Sequence, residues 1–326
     1  MTAGAAAGSA VVLVDVRLGA VLPAAALPVL RAAADVYAGT DLPAGMAAEL
    51  GAAPAPATPP TDRPVVVVAA DLTEPAAAAL HAAGAPVLRS RPPAGAELLS
   101  AVTVMDRLRS PGGCPWDAEQ THQSLVQYLV EETFELLEAI EDGDRAALRE
   151  ELGDVLLQVL FHARVAAEDA EDPFTIDDVA AGIAGKLINR HPHVFAGGDP
   201  AVRDAASQEH RWEQLKQAEK QRESSVDGVA LGQPAVSLAA KLTQRATRAG
   251  LPADLLPGNG NGGNSGAELF ALAASVKLTG ADPEGELRAA SRRFAQDVRT
   301  AESNARAAGV EPLGMAATDW RRFWPR

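Results

Sequence analysis

Two kinds of periodicity divide the chain near residue 96. Before it, the short β-branched runs "AVVLVDV" (10–16) and "PVVVVAADL" (64–72) predict strands. "TEPAAAALHAAG" (73–84) predicts a helix closed by Gly84, leading into "APVLRS" (85–90). Residues 1–96 are thus expected to form a small α/β unit. Within it the Ala/Pro tract "GAAPAPATPPTDRP" (51–64) predicts a loop or linker, because proline removes backbone donors. From residue 97 the apolar spacing turns helical, predicting helices over 97–109, 121–142, 144–169, 176–190 and 204–222. Thr175 followed by Asp178 predicts a capping box at the start of the fourth, and Pro192 stops it after His191. Residues 224–256 read as a connecting segment with one helix, "AVSLAAKLTQRATRAG". The tract "PGNGNGGNSG" (257–266) is too poor in apolar surface to order itself. "AELFALAASVKL" and "EGELRAASRRFAQDVRTAESNARAAG" predict a last helical part. The expected fold is mainly α, in three parts: 1–96, 97–223 and 224–326.

The helical part holds a concentration of charge. "EETFELLEAIEDGDRAALREELGD" (131–154) carries ten acidic side chains and two basic ones, Arg145 and Arg149. On a helical wheel Glu131, Glu135 and Glu138 share a sector of roughly 60°, with Glu132 about 100° around from Glu131. Val126, Val130, Phe134, Leu137 and Ile140 fall on the other side. On the next helix Glu151, Asp154, Gln158 and His162 lie within about 80°, and apolar residues cover nearly everything else. Such a helix is expected to be buried, with its polar stripe facing inward. Ionised carboxylates there need a compensating charge, and the two arginines sit near the loop between the helices. Glu132 with Glu135, and Glu151 with Asp154, are both i, i+3 pairs; on antiparallel neighbours they would make a four-carboxylate cage for a hard cation such as magnesium. Iron or manganese of the Glu-x-x-His type would want a histidine that neither pair has. His162 is expected to hydrogen-bond within the stripe rather than to share the metal.

Composition narrows the function. The formal net charge of −14 argues against nucleic acid or an anionic membrane as partner, so an anionic substrate would need a metal or a local basic patch. One cysteine, Cys114, excludes an intrachain disulfide and fits a reducing cytoplasm; no nucleophile pattern surrounds it. The N-terminus has no basic region ahead of an apolar run, and no uncharged stretch reaches about eighteen residues, so neither a signal peptide nor a membrane helix is expected. No G-x-G-x-x-G or G-x-x-x-x-G-K-[ST] accompanies the strand-helix-strand pattern, which removes the usual nucleotide-fold signatures.

Four separated blocks, "GGCPWDAEQTHQSLVQYLVEETFELLEAI", "LREELGDVLLQVLFHARV", "KLINRHPHVF" and "RWEQLK", resemble, in order, the MazG nucleoside triphosphate pyrophosphohydrolases, which are all-α enzymes. The resemblance spans residues 105–222 and leaves the N-terminal unit outside it. It implies metal ligands at Glu132, Glu135, Glu151 and Asp154, with magnesium as the ion and manganese as a substitute. It further implies that Glu131 supports or activates the attacking water. Lys186 and Arg190, one helical turn apart, would contact the phosphate tail, and Trp212 would lie near the base. Trp116 and Asp117 are read as structural. The C-terminal part looks like a degenerate second copy: "GAELFALAASVKL" aligns with "GDVLLQVLFHARV", and Ala267 stands opposite Asp154. The implied activity is magnesium-dependent hydrolysis of a (deoxy)nucleoside triphosphate to monophosphate and pyrophosphate by a cytoplasmic homodimer that clears non-standard or excess nucleotides. The alternatives are a narrower dUTPase-like enzyme and a non-enzymatic nucleotide-sensing or protein-binding module.

Overall fold

The protein is described by a computed structural model covering residues 4–19, 21–198, 202–205, 207–208, 211–212, 224–257 and 264–325. It divides into two compact units, residues 1–187 and 188–326.

The first unit begins with strands and helices in alternation: β1 (Ala10–Leu13), α1 (Ala26–Ala32), β2 (Asp35–Ala38), α2 (Met46–Glu49), β3 (Ala53–Pro54), β4 (Val65–Ala69), α3 (Pro75–Ala82) and β5 (Val87–Arg89). They build an all-parallel sheet in the order β3-β2-β4-β1-β5, with Ala10 opposite Val66 and Val11 opposite Val87. The run of valines in β4 is explained by burial on both faces. Val65 and Val67 pack against α3, and Val66 and Val68 against the α1 and α2 side. Glu74 caps α3 by accepting from the Ala77 N–H at 2.9 Å, with Pro75 at the first helical position.

The expected loop over 51–64 is corrected: β3 lies inside it and pairs with β2, Ala38 opposite Pro54. Pro54 is tolerated because β3 is an edge strand, where a missing donor breaks no ladder. The short elements β2, α1 and α2 were also not apparent from periodicity, being four to seven residues of mostly small side chains.

Of the helices that follow, α4 (Ala96–Arg109), α6 (His122–Asp142), α7 (Arg145–Ala166) and α8 (Ile176–Arg190) match their expected positions closely, while the short α5 (Pro115–Glu119) and α9 (Pro192–Phe195) were not expected. Thr121 and Ser124 form a reciprocal capping box on α6. Gly143, at φ 68°, ends α6 in the left-handed region that favours glycine, and the Asp144 side chain accepts from Ala146 and Ala147 to start α7. The predicted capping box on α8 is only half formed: Asp178 accepts from the Thr175 N–H and hydroxyl, both at 2.8 Å, so the hydroxyl donates instead of capping the backbone. In "GGCPWD" a Cβ on Gly113 would stand 2.2 Å from the Leu108 carbonyl oxygen, which only glycine avoids.

Met105, Leu125, Leu160 and Phe161 form the core under these helices. Arg109, buried, pins the surrounding chain: Nη1 donates to the carbonyls of Asp117 and Gln120, while Nε and Nη2 hold Glu168 at 3.1 and 2.7 Å. Trp116 meets Tyr128 and Phe161 edge to face, so the "CPWD" segment is packing, as expected. Arg17, chelated by Asp15, also bonds Glu97 and so ties the sheet to the start of α4.

In the second unit, α10 (Ala235–Arg248) packs on α11 (Ser265–Leu278), and α12 (Pro283–Ala307) carries α13 (Ala317–Phe323) over a small core of Ala301, Ala305 and Phe323. Of the helix expected over 204–222, residues 205, 207–208 and 211–212 are helical, and 206, 209–210 and 213–222 lie outside the described residues, as do 258–263 of the Gly/Asn tract. The chain is mainly helical with one small parallel sheet. Among the described residues no helix is long and apolar enough to cross a membrane.

Candidate functional site

The tight packing of α6 on α7 places the acidic residues. The buried and half-buried positions of α6 are Leu125, Tyr128, Glu132, Leu136, Leu137 and Ala139, and all but Leu137 follow a 3-4-4-3 spacing that makes one continuous seam. Glu132 thus occupies a seam position that an apolar residue would ordinarily fill, while Glu131, Glu135 and Glu138 face solvent. The stripe on α7 answers it: Gln158 is buried, and Glu151, Asp154 and His162 are half-buried.

An expectation fails on α7, whose wide apolar face was to be buried: Leu152, Leu157 and Val159 are exposed. On α6, opposite the acidic sector, Val126, Val130, Phe134 and Ile140 are all more than two-fifths accessible, and Leu137 is half-buried. The reason is geometric: the seam between the helices runs through the Glu132 and Gln158 lines, and a hairpin can bury only one side of each helix.

One carboxylate oxygen from each of Glu132, Glu151 and Asp154 lies within 4.8 Å of the other two. Glu135 is outside this trio and exposed, yet its charge reaches both glutamates. Burial holds Glu132 above the usual carboxylate range, and Asp154, Glu135, Glu151 and Glu131 push it the same way. Burial also raises Glu151, followed by Glu135, Asp154 and Glu150. Glu151 Oε2 is sealed from solvent with no hydrogen-bond partner among the described residues. A carboxylate oxygen so placed needs a proton or a cation. The donor set is all oxygen, with neither histidine nor cysteine, and therefore fits a hard divalent ion better than zinc or copper.

At the far end of the hairpin His122 and His162 stack, their Nδ1 atoms 2.8 Å apart. His162 thus acts as a hydrogen-bonding member of the stripe, as its spacing suggested, and burial lowers its pKa, with His122 adding to the effect. Cys114 is free and half-buried at the start of α5.

The remaining predicted residues lie on and beyond α8. Lys186 is exposed. Arg190, one turn on, is buried with its guanidinium 5.7 Å from the centre of the Trp212 ring, and Gln208 bonds its carbonyl oxygen. His191 meets Trp212 edge to face at 5.0 Å. Arg190 and Trp212 are therefore brought together, in the second compact unit, whereas Lys186 belongs to the first. The Glu213–Lys216 part of "RWEQLK" lies outside the described residues.

Comparison with known proteins adds an independent finding. Residues 120–195 match the MazG nucleotide pyrophosphohydrolase domain, and residues 9–88 match the MazG N-terminal domain. The second match extends the likeness to the sheet, which the sequence reading had left outside. A nucleoside triphosphate pyrophosphohydrolase of Mycolicibacterium smegmatis is 42% identical over 97% of this chain and 95% of its own length. One from Mycobacterium tuberculosis is 42% identical over 97% of this chain and 94% of its own. An uncharacterised 26.1 kDa protein of Streptomyces cacaoi is 51% identical over 64% of this chain and 84% of its own.

Proposed function

Because the chain belongs to the MazG family of nucleotide pyrophosphohydrolases, we propose that it hydrolyses (deoxy)nucleoside triphosphates to monophosphate and pyrophosphate at the α6–α7 hairpin. The observation that carries this reading is the convergence of Glu132, Glu151 and Asp154 around a sealed oxygen that lacks a donor. These three, with Glu135 at the rim, would hold magnesium, for which manganese could substitute. Bound there, the ion supplies charge neutralisation to the phosphoryl oxygens and lowers the pKa of nearby water.

The rest of the chemistry falls to the chain. Glu131, solvent-facing and adjacent in sequence to Glu132, takes a proton from the attacking water as its oxygen bonds the α-phosphorus. The bridging oxygen then departs with pyrophosphate. Lys186 and Arg190 bind the phosphate tail, and Trp212 packs on the base, which its contact with Arg190 supports by setting aromatic face and cation side by side. In this reading the chemistry belongs to 97–223, and 224–326 is a copy that has lost its ligands, with Ala267 where Asp154 would be; residues 1–96 take no assigned part in it. The exposed apolar faces of α6 and α7 are covered by a second copy in a homodimer. The role is clearance of non-standard or excess nucleotides in the cytoplasm.

The test is a panel of nucleoside triphosphates with magnesium and identification of both products. Monophosphate and pyrophosphate are expected; orthophosphate with diphosphate as the main products would overturn attack at the α-phosphorus.

A further inference from the structure

We propose that His122 and His162 form a proton-sensitive latch across the open end of the α6–α7 hairpin, closed while both imidazoles are neutral and opened by the first proton the pair takes up. One end of the hairpin is closed by Gly143 and Asp144. At the other, His122 is the first residue of α6, and His162, forty residues on, lies in the last turns of α7. Glu132, Glu151 and Asp154 stand between the two ends. The histidine Nδ1 atoms are 2.8 Å apart, with the rings within 6° of parallel. A contact that short between ring nitrogens is a hydrogen bond in which one nitrogen carries the proton and the other is bare. The surroundings decide which. His162 Nε2 is sealed from solvent with no partner among the described residues, whereas His122 is exposed. A proton on that Nε2 would be a buried donor without an acceptor, a rare and costly state. His162 therefore keeps its proton on Nδ1 and donates it, and His122 accepts on Nδ1 while its own Nε2–H meets water.

This arrangement has no place for another proton. On His122 Nδ1 it would set two N–H groups against each other at 2.8 Å, and on His162 Nε2 it would seal in a charge with an orphan donor. Burial, and then His122, accordingly hold His162 below the ordinary histidine range. The charged groups of the neighbouring elements do not offset this. Asp169, just beyond α7, interacts with His122, but its carboxylate is engaged first by the N–H groups of Asp172 and Glu171. Arg109 of α4 is taken up by Glu168, and Arg164 of α7 by Asp106 and Glu168. Asp117 and Glu119 of α5 hydrogen-bond neither ring among the described residues. Leu125, one turn beyond His122, stays seated in the core with Leu160 and Phe161, so opening the latch loosens the end of the hairpin without parting the helices. His162 shares the inner stripe of α7 with Asp154. On the reading that the carboxylate trio holds magnesium, the pair is therefore a positioning device for the ion, set by pH.

The test uses the full chain in EDTA, with its six histidines labelled with nitrogen-15. Long-range proton–nitrogen spectra at pH 7.5, assigned by comparison with His122→Ala and His162→Ala, should show His162 protonated on Nδ1 and His122 on Nε2. His162 protonated on Nε2 instead would overturn the proposal. A cycle of the two single variants and the double variant, read by urea midpoint, should show coupling at pH 7.5 that is gone at pH 5.5, below the ordinary histidine value of about 6.5. The sign follows from burial: folded His162 takes a proton less readily than the unfolded chain, so the pair's contribution is present above the unfolded value and is lost as pH falls below it. Equal coupling at both pH values makes the contact plain packing and overturns the latch. Magnesium, titrated by calorimetry at pH 7.5, should bind His122→Ala about threefold more weakly than the unsubstituted chain, in keeping with the loss of one hydrogen bond. Equal affinity overturns the positioning role. If neither protein binds magnesium, the reading of the trio fails, while the measurements in EDTA still decide the latch.

Discussion

At the scale of single residues, Glu132 carries the sharpest consequence. Its carboxyl is held above the ordinary range by burial and then by the neighbouring carboxylates. In the metal-free protein the folded state therefore takes up a proton more readily than the unfolded chain. The ionised group weakens the fold at neutral pH, and that loss is recovered as pH falls through the folded value. Glu132→Gln in EDTA should accordingly melt a few degrees above the unsubstituted protein at pH 7, with the gap closing as the pH is lowered into the carboxylate range. Magnesium should then raise the melting temperature of the unsubstituted protein far more than that of the variant, and turnover of the variant should be lost. A variant that melts lower at pH 7 without metal would show Glu132 to be structural.

At the scale of elements, the hairpin depends on what holds its neighbours. Arg109 is buried and links α4, the α5 segment and Glu168 just beyond α7. Hydrogen bonds from Arg109, followed by the charges of Arg109 and Arg164, keep Glu168 below its usual value, so the stabilisation is present above the unfolded pKa and is lost as pH falls through the folded one. Arg109→Ala should cost about 2 kcal/mol at pH 7, less than a fully enclosed pair because Glu168 is 42% exposed on its side chain. Urea unfolding at pH 7 and pH 3.5 checks this: the cost should shrink at the lower pH. The same elements show what the sequence made legible. Helices α4, α6, α7 and α8 were readable because each is long and periodic, with Thr121 and Asp144 capping α6 and α7. β2, β3, α1 and α2 were not, because two to seven residues of mostly Ala, Val and Leu fit any buried element equally well. The carboxylates were readable as i, i+3 pairs, although Glu135 stands outside the trio, and the burial expected around most of α7 is not met at Leu152, Leu157 and Val159. On α6 the wheel showed an apolar face at Val126, Val130 and Phe134, whereas the seam Leu125, Tyr128, Leu136, Ala139 includes Glu132 itself. A polar residue standing in an otherwise apolar 3-4-4-3 line was the signal that would have found it.

At the scale of the whole molecule, the exposed valines, leucines and Phe134 on α6 and α7 form more apolar surface than a helical hairpin ordinarily leaves open. If a second copy covers it, Val130→Glu and Leu152→Glu should each move the mass in solution from twice 33.7 kDa to that of one chain, read by light scattering, while far-UV ellipticity stays constant. An unsubstituted protein at the single-chain mass would remove the homodimer. Order of folding follows from the way the site is laid out. Glu132, Glu151 and Asp154 all lie on one hairpin closed by Gly143 and Asp144, so every contact among them is close along the chain. β1, by contrast, must wait for β4, since Ala10 pairs with Val66. Closing the short loop costs less entropy, and local helical contacts form far faster than distant strand pairing. During synthesis or refolding, the carboxylate cluster should therefore exist as a rapidly formed hairpin, able to capture an ion while the sheet is still assembling.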